Sequence, residues 1–446
     1  MFSAFQTLCA WLAVTLMLPM VPAIAAQVDI TAEPSHSKLV RGAKQRVFLR
    51  IGLTSPRPER TRERPPLNVA LVIDKSGSMR GRRIEEAKRA ALMALERLDS
   101  TDIVSVIAYE SAVKTIVPAT KVSNRRWIAE RIRGLQAGGS TAIYAGVNAG
   151  AEEVRKFASR DKINRIILLS DGLANVGPKD PLDFERLGRQ LSGEGIVVST
   201  IGLGDGYNED LMAALARTGE GNHAFVQEPQ DLINFFNKEF DEALGVVAQD
   251  VEIIIRCLGD VRPIGGLGRQ AEVRGRTIVF RVGQLIGGSE QVLLAEVEVP
   301  EGMASAGLDL AEVEVRYRAA DTNVPMRVTT RVRTEWTDDR SVSESSADGN
   351  VMRDVTLLKA RARREEAIKL RDAGRIDAAR KAFKKNAAVL SKARKQYGFS
   401  GSVAYDDEQR VNSEAAAKAA SPTEWKRQRK TLRAIQSNRA GAKTKY

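Results

Sequence analysis

From Val28 to Leu53 apolar and polar residues alternate loosely (Val28 and Ile30, then Val47, Leu49 and Ile51), which predicts half-buried strands. The charged, proline-rich stretch from Ser55-Pro56-Arg57-Pro58 to Pro65-Pro66 reads as a loop. A continuous apolar run then opens at Leu67 and ends on Asp74, as in a strand buried on both faces. Ile84, Ala87, Ala91, Leu92, Leu95 and Leu98 follow at helical spacing. Further strands are predicted at Asp102–Tyr109, Val113–Val117, Arg165–Leu169 and Ile196–Gly202. Helices fall around Trp127–Leu135, Thr141–Phe157, Asp183–Leu191, Glu209–Arg217 and Leu232–Leu244. Buried strands alternating with helices over 67–245 predict an α/β domain with a doubly wound, mainly parallel sheet. Such sheets place ligands beyond the carboxyl ends of their strands, where both Asp74 and Asp171 fall.

The alternation stops after Gly245. Val251–Ile255, Thr277–Val282, Gln291–Val299, Val313–Tyr317 and Met326–Val332 read as strands without intervening helices, hence an antiparallel β-sandwich over 246–338. The strands of 27–66 have no other sheet to complete, so the α/β domain is expected to be inserted within this β-domain. Residues 339–350 read as a polar linker and 351–398 as a helical hairpin. In the hairpin Ala367, Leu370, Gly374, Ala379 and Phe383 carry one copy of a tetratricopeptide-like spacing. The Ala-, Lys-, Arg- and Ser-rich segment 399–446 is expected to be a basic, unstructured tail.

The first residues change the expected compartment. Leu8 to Leu18 is mostly apolar and is followed by Pro19, Pro22 and Ala23-Ile24-Ala25-Ala26, the pattern of a secretory signal peptide over 1–26. No Lys or Arg precedes the run, and the alternative is an uncleaved membrane anchor. Export to the periplasm or the medium is the expectation. Of the two cysteines, Cys9 leaves with the signal, so Cys257 has no intrachain partner and reads as a small buried apolar residue. The two histidines, His36 and His223, are far apart, which argues against a zinc site, and no G-x-x-x-x-G-K-[ST] phosphate loop occurs. A net charge of +13 favours anionic partners, the cell envelope or another anionic surface among them, without choosing one. It gives no specific signal for nucleic acid and none for oligomeric state.

Asp74-Lys75-Ser76-Gly77-Ser78 offers oxygen ligands suited to a hard octahedral ion such as Mg²⁺, with Mn²⁺ or Ca²⁺ as substitutes. Neutral hydroxyls leave such an ion electron-poor and receptive to a further carboxylate. Alone, this string reads equally as a Ser- or Asp-capped helix start. Two more segments lie at the same predicted sheet edge: Gly138-Gly139-Ser140-Thr141 at a loop-to-helix junction, and Leu169-Ser170-Asp171-Gly172 at a strand end.

Together the three segments, with Val69-Ala70-Leu71-Val72-Ile73 before the first, resemble the metal-ion-dependent adhesion site of the von Willebrand factor type A family over about 67–244. The resemblance implies a Mg²⁺ site of Asp74, Ser76, Ser78, Thr141 and Asp171. In it Ser76, Ser78 and Thr141 ligate the ion, and Asp74 and Asp171 act mostly through hydrogen bonds and bridging water. It also implies a noncatalytic binding module, whose ion takes an acidic residue of a protein partner, in a bacterial envelope protein. The domain combination is similar as well to inter-alpha-trypsin inhibitor heavy chains, although the region before the A domain is too short for theirs. Two other functions compete: a Mg²⁺-dependent hydrolase, and an envelope scaffold whose metal is purely structural. The Gly202-Leu203-Gly204-Asp205-Gly206 string lacks a full G-x-G-x-x-G and reads as a turn.

Overall fold

A computed structural model describes residues 28–57, 64–301, 307–400 and 402–437. The proposed signal segment, Cys9 and the last nine residues lie outside them. Three strands come first: β1 (Asp29–Pro34), β2 (Lys38–Val40) and β3 (Gln45–Thr54). The α/β domain follows as β4 (Leu67–Asp74), α1 (Arg82–Arg97), β5 (Ile103–Tyr109), β6 (Val113–Lys121), α2 (Arg125–Arg133), α3 (Ile143–Arg155), β7 (Ile163–Ser170), α4 (Pro181–Gly193), β8 (Ile196–Leu203), α5 (Glu209–Thr218), β9 (Glu220–Val226) and α6 (Leu232–Leu244). Its sheet has the order β6-β5-β4-β7-β8-β9, with β6 antiparallel and the other strands parallel. Every residue of β4, β7 and β8 is buried, because helices cover both faces. Each such Val, Leu or Ile contributes about 1.5–3 kcal/mol to folding.

The chain then returns to the β-domain as β10 (Val246–Cys257), β11 (Arg262–Leu267), β12 (Glu272–Arg274), β13 (Thr277–Ile286), β14 (Glu290–Val299), β15 (Gly307–Ala319) and β16 (Pro325–Thr337). One sheet has the order β1-β3-β14-β11 and the other β12-β13-β10-β15-β16-β2, and their inner faces share one core. The α/β domain is therefore inserted between β3 and β10. Strand β3 pairs with β14 from Gln45–Val299 to Thr54–Glu290, a register no local sequence could supply. Cys257 is buried in β10, and burial pushes its thiol up to about 11.

Helices α7 (Arg340–Ser345), α8 (Gly349–Asp372), α9 (Ile376–Tyr397), α10 (Val403–Lys418) and α11 (Pro422–Ser437) complete the chain. Two expectations are corrected here. The stretch 339–350 is no plain linker: α7 lies within it, and the Ser343 and Ser346 hydroxyls donate to the Lys38 carbonyl beside β2. The segment after 399 is no unstructured tail over its described part. Val411, Ala415, Ala416, Ala419, Trp425 and Leu432 pack on Ala367, Ala379 and Phe383, so small alanines give a close-packed face that composition alone disguises. Buried polar pairs fix its register, Arg364 with Glu408 and Asn386 with Asn412.

This helical region touches both other parts. Helix α8 packs on the sandwich, where buried Arg50 bonds Asp354 of α8 at 2.8 Å and Glu290 at 2.6 Å. Helix α11 packs on α5 and β9 of the α/β domain. Among the described residues no helix is long and apolar enough to cross a membrane.

Candidate metal centre

Strands β4 and β7 are parallel neighbours, so their carboxyl ends bring Asp74 and Ser170-Asp171 side by side. The loop before α3 is stitched to them by its backbone: Gly138 N donates to the Lys75 carbonyl at 2.7 Å, and Gly77 N to the Gly139 carbonyl at 2.9 Å. Gly139 has φ +78°, and a Cβ there would overlap the Glu110 carboxylate, so the loop requires glycine. All three predicted segments thus meet at one edge of the sheet.

The side chains converge as well. Ser76 N donates to Asp74 Oδ1 at 2.8 Å, and Ser170 Oγ donates to Asp74 Oδ2 at 2.7 Å. Ser78 Oγ donates to Asp171 Oδ1 at 2.6 Å and lies 3.0 Å from Ser76 Oγ. A Cβ placed on Gly172 would lie 3.0 Å from Thr141 Oγ1 and 3.4 Å from Ser78 Oγ, so both hydroxyls border Gly172. Thr141 N is held by Asn175 Oδ1 at 2.7 Å, while Asn175 N and Val176 N donate to the Thr141 carbonyl. Asp74, Ser76, Thr141 and Asp171 are buried and Ser78 is exposed, so the cluster opens to solvent on the Ser78 side.

The electrostatics suit a cation. Burial pushes the Asp74 carboxyl up to about 6, only partly opposed by its bonds from Ser170 and Ser76. Those bonds come from a hydroxyl and an amide, so among the described residues this buried carboxylate has no cationic partner of its own. Asp171 has one: Arg83 Nη1 donates to Asp171 Oδ2 at 2.6 Å. Among the described residues no group of three or more His, Cys, Asp or Glu side chains is placed to hold a metal. The donor set here is instead hydroxyl and carboxylate oxygen, which fits a hard divalent ion rather than zinc held by thiolate or imidazole.

All five residues singled out in the sequence are in the cluster. Three others were not foreseen. Ser170, within the third motif, fixes Asp74. Asn175 orients the Thr141 loop, and Arg83 neutralises Asp171. Only Ser170 carried any sequence signal, through its place beside Asp171; the other two depend on side-chain direction. His223 is buried and bonded to Thr200 Oγ1 and the Tyr207 hydroxyl, away from the cluster's polar contacts. The Gly202–Gly206 segment ends β8 and turns, with Gly204 at φ +67°.

A parallel-sheet domain with a hydroxyl-rich oxygen cluster at its carboxyl edge is the class defined by fold and site. Residues 68–238 match the von Willebrand factor type A domain, and the chain carries a domain of that family. It is 29% identical over 372 residues to the uncharacterized protein sll0103 of Synechocystis, covering 79% of this chain and 86% of that one. It is also 29% identical to the uncharacterized protein YfbK of Escherichia coli, over 52% of this chain and 41% of that one. Human inter-alpha-trypsin inhibitor heavy chain H3 is 30% identical over 37% of this chain, which spans only 20% of the heavy chain.

Solved structures share the fold, two of them over most of this chain. One is a von Willebrand factor type A protein from Catenulispora acidiphila, with TM-score 0.70, 18% identity, and 87% of this chain and 90% of that chain covered. The other is the ArnB paralog VWA2 from Sulfolobus acidocaldarius, with TM-score 0.63, 16% identity, and 91% and 98% covered.

Proposed function

We propose that this protein is a noncatalytic, metal-dependent binding module of the bacterial cell envelope. Its ion, Mg²⁺ or a substitute such as Mn²⁺, is held through Ser76, Ser78 and Thr141 and takes a carboxylate from a protein partner. The observation that carries this reading is the meeting of three hydroxyls with two buried carboxylates, beside an exposed Ser78. When bound, the ion supplies a Lewis-acidic position for the partner's oxygen. Asp74 holds the Ser76 backbone and Asp171 the Ser78 hydroxyl by the bonds described above, and Asn175 sets the Thr141 loop. Leu173 and Val176, both exposed on the segment after Asp171, give the rim the apolar contact that a protein partner uses.

A hydrolase reading needs a base beside the ion's water. His223 is buried and held in its two hydrogen bonds, and His36 lies beside β2 of the sandwich, which favours binding over turnover. Export rests on the apolar run and the small-residue site before Gln27. The test is affinity capture of partners from an envelope extract, in Mg²⁺ and in EDTA, with the Thr141→Ala variant in parallel. Partners retained in Mg²⁺ and lost both in EDTA and in the folded variant are expected. Retention indifferent to all three conditions contradicts the reading.

A further inference from the structure

Arg83 stands in the first turn of α1, where the helix dipole disfavours a cation. Its position is explained by what it touches. Nη1 donates to Asp171 Oδ2 at 2.6 Å and to the Ser78 carbonyl at 3.3 Å, and a Cβ on Gly204 would lie 3.2 Å from Nη2. The guanidinium is therefore clamped between the first metal-site turn, the Asp171 carboxylate and the end of β8. Its target is fully buried while the arginine is 38% exposed. Among the described residues neither Nε nor Nη2 makes a hydrogen bond, and the side chain is partly exposed, so the guanidinium keeps donors to spare.

We infer that Arg83 sets the balance of this site, weakening its hold on the divalent ion and strengthening the loaded site's hold on an incoming carboxylate. The inference rests on the metal reading above and adds a residue to it. With Asp74 and Asp171 ionised, a divalent ion alone would neutralise the cluster. Arg83 adds one positive charge, and the loaded site then needs one further anion to balance it. The neighbouring pairs Lys75–Glu110 and Arg427–Asp205 carry no net charge and leave this count unchanged. The bond to Arg83 also engages one oxygen of Asp171 while Ser78 engages the other, which keeps Asp171 acting through its neighbours. A guanidinium bonded to a carboxylate of the cluster would cost a divalent ion affinity there by direct Coulomb repulsion. The same charge attracts a partner carboxylate, with a planar fork suited to two oxygens.

The experiment uses the full mature chain and two probes, Mn²⁺ alone and Mn²⁺ with acetate at matched ionic strength, read as free Mn²⁺ by electron paramagnetic resonance. Arg83→Ala and Arg83→Gln are expected to tighten Mn²⁺ binding about tenfold or more. Arg83→Lys is expected to stay near wild type. Acetate should tighten Mn²⁺ binding in wild type and lose that effect in the Ala and Gln variants. Gln is polar and close in length, so it carries the test should Ala fail to fold. Unchanged or weaker Mn²⁺ affinity in the folded variants, with wild type binding normally, overturns the role given to Arg83 and leaves the metal reading standing. Absence of binding in wild type together with binding in the variants supports the role and refutes the metal reading for the native chain. Absence of binding in every protein overturns both.

Discussion

Ser78 Oγ donates to Asp171 Oδ1 at 2.6 Å across 93 residues of chain, joining the turn after β4 to the end of β7. The bond fixes a buried carboxylate through the hydroxyl of an exposed residue. Ser78→Ala removes that oxygen and leaves Asp171 with its Arg83 contact, so the fold should lose only about 1 kcal/mol. Divalent-ion affinity should fall at least tenfold. Urea midpoints and Mn²⁺ titration of the same preparation check both. A variant that keeps its Mn²⁺ affinity shows that Ser78 is not a ligand.

The described C-terminal helix should matter to the α/β domain. Buried Lys430 on α11 donates to the Tyr207 carbonyl at 2.7 Å and to Glu209 Oε2 at 2.5 Å, with its ammonium 4.0 Å from the Tyr207 ring centre. Arg429 adds bonds to Glu209, Asp210 and Asp372. Tyr207 follows Gly206, where a Cβ would lie 2.8 Å from the Asp171 carbonyl, so α11 grips a loop that packs on the site. Lys430→Met should destabilise the protein by on the order of 2–3 kcal/mol. It should also speed amide hydrogen exchange across 204–210. Exchange there at the wild-type rate would mean that α11 merely rests on this loop.

How much of this was legible beforehand follows from the kind of signal each part carries. Leu67 to Ile73 announced β4 because a strand covered by helices on both faces must be apolar throughout. The metal-site segments were readable because glycine, hydroxyl and carboxylate positions recur locally in each. By contrast β11, β12 and the three-residue β2 went unread: they are short, and β11 carries Pro263, Gly265 and Gly266, which weaken any strand pattern. The helices after 402 were hidden because their interface is lined with alanine and closed by buried ion pairs. Neither gives the apolar periodicity that sequence reading depends on. Arg83 was invisible for a different reason: a basic residue in a helix's first turn reads as solvated surface until the carboxylate it reaches is known.

Acid sensitivity should have one identifiable source in His223. Burial lowers its imidazole from 6.5 to about 3, so the folded state refuses a proton that the unfolded chain accepts. Stability from this group is intact above pH 6.5 and is lost as pH falls from 6.5 toward 3, by at most about 1.4 kcal/mol per pH unit. His223→Gln should be less stable than wild type at pH 7 and should lose about 2–3 kcal/mol less between pH 7 and 4.5. Urea denaturation at the two pH values measures this, and parallel losses in the two proteins contradict it.

The Arg50 cluster should hold the helical region to the sandwich. Arg50 is buried and ion-paired with Glu290 and Asp354, so Arg50→Met leaves two carboxylates without their shared cation. The expected cost is about 3–5 kcal/mol. Limited proteolysis should then cut first near 339–350, ahead of the α/β domain. Cleavage in the wild-type order argues that α8 is held by its apolar contacts alone.

Thermal melting of the protein in Mg²⁺ and in EDTA, beside the Asp74→Ala/Ser76→Ala double variant, tests the metal site most directly. An ion that binds only the folded state, at a concentration 100-fold above its Kd, adds about 2.7 kcal/mol. For a domain of this size that raises the α/β transition by roughly 5–10 °C in wild type, and the double variant should show no such rise. Superimposable wild-type curves in Mg²⁺ and EDTA would contradict an occupied site at Asp74, Ser76, Ser78, Thr141 and Asp171.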